Sequence, residues 1–313
     1  MQIIRSIAEL PAALRGAVAA IGNFDGVHRG HQALVAQAQS VATQRVAAGR
    51  HPVLVMTFEP HPRRFFVPSA PPFRLDALET KARILDGLAV DALLALPFNA
   101  GLANLGPEDF VAQILQRELG LAHVVVGYDF TFGKGRAGDT AMLRELCAAK
   151  GIGVSVVQAH GDDHGAFSSS RIRSLLEEGR PEAAADLLGR PWEIIGVVEH
   201  GDKRGRELGF PTANVALTDF QIPKFGIYAV RAVIDGKRHD GVASLGIRPT
   251  FNQTDVKLEV YLFDFAGSLY GRPMRVEFHA FLRPEVKYEG AEALKRQIAA
   301  DVEAARALLA AKG

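Results

Sequence analysis

The chain has 313 residues, 48% of them hydrophobic and 23% charged, ordinary proportions for a globular protein with room for two domains. Its 36 basic residues offset 35 acidic ones, and the segments before and after the cut at Ala185 hold 18 basic with 18 acidic and 18 basic with 17 acidic residues. Neither segment has the cationic excess of an indiscriminate nucleic-acid binder, and Cys147, the only cysteine, excludes an internal disulfide and a multi-cysteine zinc site.

Met1 to Val18 carries Glu9, Pro11 and two arginines and does not read as a signal peptide. No stretch approaches the ~18 uninterrupted apolar residues of a membrane span. The expectation is a soluble cytoplasmic protein with no membrane, nucleic-acid or protein partner. Short, mostly unalternating apolar runs follow at Ala17–Ile21, Val53–Phe58, Ala89–Leu96, His123–Val126 and Val154–Val157. That texture predicts strands covered on both faces. Helical patterns over His31–Ala48, Leu75–Leu88, Pro107–Leu119 and Thr140–Lys150 lie between them. Alternating strands and helices imply a Rossmann-like parallel α/β sheet with right-handed crossovers, whose ligands sit beyond the carboxyl ends of the strands.

Ser168–Gly179 and Pro181–Gly189 predict two short helices, each closed by Gly-Arg-Pro. After Trp192 the spacing changes. Strands are expected at Glu193–Glu199, Tyr228–Ile234, Lys257–Phe265 and Met274–Leu282, with Asp235-Gly236 as a turn. This predicts a small antiparallel β-barrel, closed by a C-terminal helix through Leu294, Ile298, Val302 and Leu309. The expected domains are residues 1–185 and 186–313.

The first strand runs into Gly22-Asn23-Phe24-Asp25-Gly26-Val27-His28-Arg29-Gly30-His31 at a helix start. Glycines admit close backbone approach, and a helix N-terminus offers free N–H groups to phosphate. His28 and His31, three apart, can present both imidazoles to one side. Ser168-Ser169-Ser170-Arg171-Ile172-Arg173 opens a later helix, where hydroxyls and guanidinium groups can cap the helix or clamp a polyphosphate. At the carboxyl ends of two strands, Thr57-Phe58-Glu59-Pro60-His61-Pro62 and Gly127-Tyr128-Asp129-Phe130-Thr131-Phe132-Gly133 offer aromatic faces and a carboxylate for an aromatic ring ligand. Gly133–Gly138 matches G-x-G-x-x-G, but it lies too far beyond its strand for the tight turn of a dinucleotide site. Gly127 to Lys134 likewise misses a Walker A loop by spacing.

The second half carries Gly201-Asp202-Lys203-Arg204-Gly205-Arg206-Glu207-Leu208-Gly209-Phe210-Pro211-Thr212-Ala213-Asn214. Its glycines and cations can wrap a phosphate tail, and Thr212 and Asn214 supply neutral oxygens suited to a hydrated Mg²⁺. By strand period alone, Glu259 reads as a solvent-facing charge between Leu258 and Val260.

The first string resembles the signature of the HxGH nucleotidyltransferases, and Ser169–Arg173 resembles that superfamily's second motif, with Ser170 where threonine is usual. The second string resembles the ATP/Mg²⁺ loop of riboflavin kinases. That likeness continues through Gly246–Phe251, Leu258–Phe265 and Leu269-Tyr270-Gly271, with Ser244 and Ser268 as departures. Together, nearly the whole chain resembles the bifunctional prokaryotic riboflavin kinase/FAD synthetases.

The resemblance implies two ATP-dependent reactions. The first domain would adenylylate FMN to FAD with release of pyrophosphate, and the second would phosphorylate riboflavin to FMN. It implies Gly22, Phe24, Asp25, His28, His31, Ser169, Ser170 and Arg171 for ATP in the first domain, with His28 and His31 stabilising the reacting phosphates. Phe58, Pro60, Asp129 and Phe130 would hold the flavin there. In the second domain it implies Gly201, Lys203, Gly205, Gly209, Thr212 and Asn214 for ATP, Thr212 and Asn214 for Mg²⁺, Arg248 and Glu259 for flavin, and Glu259 as catalytic base. The competing readings are an NAD(P)-dependent oxidoreductase built on Gly133–Gly138 and a non-catalytic binding module.

Overall fold

Apolar runs without alternation can be buried only inside a sheet covered on both faces, and they form the first half of the chain. The computed structural model describes residues 1–44, 50–201, 204–217, 219–250 and 253–312. Its first sheet contains β1 (Gln2–Ile4), β2 (Val18–Ile21), β3 (Val53–Glu59), β4 (Ala92–Pro97), β5 (His123–Gly127) and β6 (Gly153–Val157). The order is β1-β4-β3-β2-β5-β6, with every neighbouring pair parallel. Ile21, Met56, Leu94 and Val126 pack on one face, and Val18, Ala20, Val55 and Leu93 on the other. Three residues are too few to show a period, so β1 was not foreseen. The small hairpin of β7 (Gly161–Asp162) and β8 (Gly165–Ala166) was not foreseen either.

The helices keep their predicted places with altered ends. The first spans Arg29–Gln44 and buries Leu34, Val35, Ala38, Val41 and Ala42; residues 45–48 of the expected span lie outside the described residues. Pro107–Asp109 leads into a π-helix over Phe110–Glu118, a wider winding that an apolar stripe does not disclose. Cys147 is buried, and burial pushes its thiol up to about 11, leaving no thiolate chemistry near neutrality.

The helix expected from Leu75 begins instead at Leu78. By density of contacts, Met1–Ala70 and Leu78–Ser168 make one unit, while Pro71–Ala77 and Ser169–Gly313 make the other. Within the second unit the Pro71–Ala77 segment is extensively bonded. Trp192 donates its indole N–H to the Leu75 carbonyl at 3.0 Å, and Arg173 Nε donates to the Phe73 carbonyl at 2.8 Å. Gln221 N donates to the Arg74 carbonyl at 2.8 Å. A backbone engaged in this way is not free to form helical bonds.

The buried Asp76 carboxylate receives Arg190 Nη2 at 2.8 Å. Removing one partner of such a pair is far costlier than its net contribution to stability. Arg190→Ala should therefore lower the unfolding free energy of the second unit by about 3 kcal/mol. Urea unfolding followed by fluorescence of Trp192, the single tryptophan, measures this directly; an unchanged midpoint contradicts it.

The second unit contains a closed antiparallel barrel. Its strands are β9 (Trp192–Glu199), β10 (Thr212–Val215), β11 (Gly226–Ile234), β12 (Lys237–Thr250), β13 (Gln253–Leu262) and β14 (Pro273–Arg283). They close in the order β10-β13-β12-β11-β14-β9. Asp235 and Gly236, both at positive φ, make the β11–β12 turn, the backbone that favours Asp-Gly. Trp192, Ile194, Tyr228, Val230, Leu258, Val260, Val276 and Phe278 are buried core residues. Ala229, Val242 and Ala280 meet Val302, Ala305 and Leu309 of the helix Ala291–Ala310. Among the described residues, no helix is long and apolar enough to cross a membrane.

Candidate functional site

In a parallel sheet, loops leaving the carboxyl ends of adjacent strands converge. The loops after β3, β2 and β5 leave three strands that lie side by side, and they carry most of the sequence-predicted residues of the first unit. Gly22 N donates to the Met56 carbonyl at 3.1 Å, which holds the β2 end against β3. Beyond it, Phe24 and Val27 are fully buried at φ +48° and +41°, with Gly26 between them at +89°. Left-handed backbone at two bulky residues is held by the surrounding packing. The turn delivers a buried His28, and the helix starts at Arg29.

The structure brings the two histidines together. Their rings stack with centroids 3.7 Å apart and 23° between planes, and Phe24 packs on His31 at 4.9 Å. His28 Nδ1 accepts the His31 backbone N–H at 3.4 Å, which leaves Nε2 of a neutral ring as the proton-bearing nitrogen. Gly30 makes this possible, because a Cβ there would lie 3.1 Å from the His28 ring and 3.3 Å from the Phe167 carbonyl. His31 Nδ1 is shut off from solvent and has no hydrogen-bond partner among the described residues. Burial first, then the repulsion from a protonated His28 and from Lys81, hold the His31 imidazole well below its ordinary value of 6.5. His31 is therefore neutral near pH 7.

Asp25 is buried. Phe58 is half-buried and meets Phe98 edge-on at 5.8 Å, and the Glu59–Pro60 peptide is cis. Asp129 is exposed at the end of β5, and Phe130 stacks on Phe132 at 5.8 Å. Two features escaped the sequence reading. Phe65 and Phe66 of the helix Pro62–Phe66 join Phe58 and Phe98 in one aromatic cluster, with Phe66 63% exposed; a run of phenylalanines after the third strand was the available signal. Lys81 is only 4% exposed although it is a lysine, and nothing in the helical period marks it. Ser169, Ser170 and Arg171 open the helix Ser169–Glu177, as expected, within the second unit.

The Gly133–Gly138 stretch is a different structure from a dinucleotide turn. Lys134–Arg136 forms a 3₁₀ turn after the loop that follows β5. A Cβ on Gly133 would meet the Pro107 ring at 2.9 Å, and one on Gly138 would meet the Phe132 ring at 2.6 Å. These glycines answer crowding by the chain's own rings, so the oxidoreductase reading loses its motif.

In the barrel, β10 lies between β9 and β13, and Asn214 stands directly opposite Glu259, with Thr212 opposite Tyr261. Alternation puts Thr212 and Asn214 on the same face of β10. The cross-strand register adds Glu259 to that face. Glu259 also faces Ser244 of β12, whose hydroxyl donates to Glu285 at 3.1 Å. The preceding loop folds back onto this face. A Cβ on Gly201 would collide with the Asn214 amide, and one on Gly205 with the Phe210 carbonyl. Gly209 adopts φ +87°. Lys203 lies outside the described residues. The backbone of Arg248 runs in β12 opposite Asp255; its side chain is outside them too. Among the described residues no cluster of three or more His, Cys, Asp or Glu forms a metal cage. The Thr212 hydroxyl and Asn214 carbonyl, with room kept clear by Gly201, suit a cation that retains waters and binds substrate phosphates.

Residues 10–171 match the family of FAD synthetases, and residues 188–309 match the family of riboflavin kinases. The chain belongs to the bifunctional riboflavin kinase/FMN adenylyltransferase family. As a member, it is an enzyme with its FAD synthetase part first and its flavokinase part second. It is 45% identical over 311 residues to the bifunctional riboflavin kinase/FMN adenylyltransferase of Pseudomonas fluorescens, covering 99% of this chain and 98% of that one. To the protein of the same description from Escherichia coli K12 it is 39% identical, covering 98% and 97%. A crystal structure from Streptococcus pneumoniae, described as a macrolide-efflux protein, superposes with a TM-score of 0.87 at 30% identity, covering 97% of this chain and 98% of that one.

Proposed function

We propose that this bifunctional riboflavin kinase/FMN adenylyltransferase works at two separate sites, with residues 186–313 making FMN and residues 1–185 converting it to FAD. The observation that carries the reading is the cross-strand pairing of Asn214 with Glu259, which sets a carboxylate beside two neutral oxygens. In the kinase reaction the riboflavin 5′-hydroxyl attacks the γ-phosphorus of ATP. Glu259 accepts the hydroxyl proton, a new P–O bond forms, and ADP leaves. Thr212 and Asn214 would hold Mg²⁺, which supplies neutralisation of the phosphate charge when bound. The resemblance assigns Gly201, Lys203, Gly205 and Gly209 to the triphosphate and Arg248 to the flavin.

In the second reaction an FMN phosphate oxygen, already ionised, attacks the α-phosphorus of ATP and pyrophosphate departs. No side-chain nucleophile is needed. Gly22, Phe24 and Asp25 shape the turn around ATP, and the Nε2–H of His28 and the buried His31 meet charge developing on the triphosphate. The resemblance also assigns Ser169, Ser170 and Arg171 to ATP. Phe58, Pro60, Asp129 and Phe130 receive the flavin ring at the ends of β3 and β5, the two strands that flank β2. The cytoplasm is the expected compartment, with ATP, riboflavin and FMN as substrates.

Incubation with riboflavin, ATP and Mg²⁺, followed by chromatography, tests this reading. Successive appearance of FMN and FAD, lost on chelation, is the expected result. Absence of both products overturns it.

A further inference from the structure

We propose that Lys81 is a positioning residue for adenylyl transfer, its buried ammonium pinning the Asn23 carbonyl to Thr57 and so setting the turn that presents His28 and His31. The inference rests on the reading of that histidine pair as part of the FAD-forming site. Three elements of the first unit meet here. Lys81, on the helix Leu78–Gly87, donates from Nζ to the Asn23 carbonyl at 2.7 Å and to Thr57 Oγ1 at 3.1 Å. Thr57, fully buried near the end of β3, donates its own hydroxyl to the same Asn23 carbonyl at 2.8 Å. The three bonds close a triangle around the residue immediately before Phe24.

The placement matters because the turn that follows is strained. Phe24 at φ +48° and Val27 at φ +41° hold conformations that bulky residues leave unless the surroundings fix them. Phe24 in turn carries the His31 ring, and Val27 carries the backbone into His28. A carbonyl fixed from two directions anchors one end of this turn. Gln32 fixes the other by donating from Nε2 to the Val27 carbonyl at 2.9 Å.

A neutral donor at position 81 would satisfy the same two oxygens. The ammonium adds a positive charge at the carboxyl end of the sheet, close enough to help hold His31 neutral. A tetra-anionic triphosphate arriving there meets a fixed cation near His31, and preorganised charge of this kind acts on the transition state without rearrangement.

The test compares steady-state FAD formation from supplied FMN in wild type, Lys81→Met and Thr57→Val, with riboflavin phosphorylation by the same samples as control. Lys81→Met should lower kcat for FAD formation about 100-fold, as misplacement by ~1 Å does. The KM for ATP should stay within about 2-fold, since loss confined to the transition state lowers kcat and kcat/KM together. Thr57→Val, which opens the triangle and leaves the charge in place, should lose roughly 10-fold on the same physical ground. FMN formation should be unchanged in both.

If folded Lys81→Met keeps wild-type kcat, or raises the KM for ATP with kcat intact, the inference is overturned. Should Lys81→Met fail to fold, Thr57→Val at wild-type kcat overturns it alone. A wild-type enzyme that makes no FAD defeats the underlying reading instead, a distinguishable outcome.

Discussion

Glu259→Gln should make no detectable FMN from riboflavin and ATP, while its conversion of supplied FMN to FAD proceeds at the wild-type rate. The substitution keeps the size and shape of the side chain and one carbonyl oxygen, so β13 retains its pairs with Asn214 and Ser244. What it removes is the capacity to accept a proton. The attacking group is a neutral alcohol, and its proton must move as the bond to phosphorus forms. A positioned general base contributes about 10²–10⁴-fold to such a step, and here Glu259 also stands beside the oxygens assigned to the cation. The expected loss in kcat is therefore at least ~1,000-fold. Coupled assays with riboflavin and with FMN on the same preparation separate the two activities. Simultaneous loss of both in a folded variant removes the two-site assignment, and an unchanged kinase rate removes Glu259 from the chemistry.

The sequence disclosed those parts of the molecule that local patterns govern. Unalternating apolar runs located β2 to β6 because strands buried on both faces cannot alternate, and the spacing of three let His28 and His31 face one side of the helix entry, where they stack. What it could not disclose depends on distant segments. The Leu75–Ala77 end of the Pro71–Ala77 segment looks helical because Leu75 and Leu78 continue a helical period. The segment's carbonyls are instead bonded by Arg173, Trp192 and Gln221, all about a hundred residues or more away. β12 (Lys237–Thr250) was missed because its Arg, His, Gly and Pro residues blur alternation, while its long ladders to β11 and β13 hold it extended. Glu259 reads as a surface charge until register sets it opposite Asn214. Lys81 is hidden for the same reason. A lysine in a charged helical segment carries no local sign of burial, and only the approach of β3 and the Asn23 turn encloses it.

His31→Ala should reduce kcat for FAD formation by about 100-fold or more, the usual result of removing one preorganised donor from a phosphate-stabilising site. Riboflavin phosphorylation should be unaffected. The ring's neutrality defines the role. In the proposed role, a neutral imidazole with Nδ1 sealed in the fold would act through Nε2, its direction fixed by Phe24 and by its stack on His28. Neutrality also has a consequence for stability. Because the folded value is depressed, the unfolded chain binds the proton more readily. The stability that His31 contributes is complete above its ordinary 6.5 and is lost as pH falls through the lowered folded value. His31→Gln, which preserves a polar side chain and cannot titrate, should flatten the acid-side fall in the melting temperature of the first unit. A variant with a wild-type FAD rate and an unchanged acid limb leaves His31 as mere packing for Phe24. Retention of the rate with a flattened limb assigns it to stability alone.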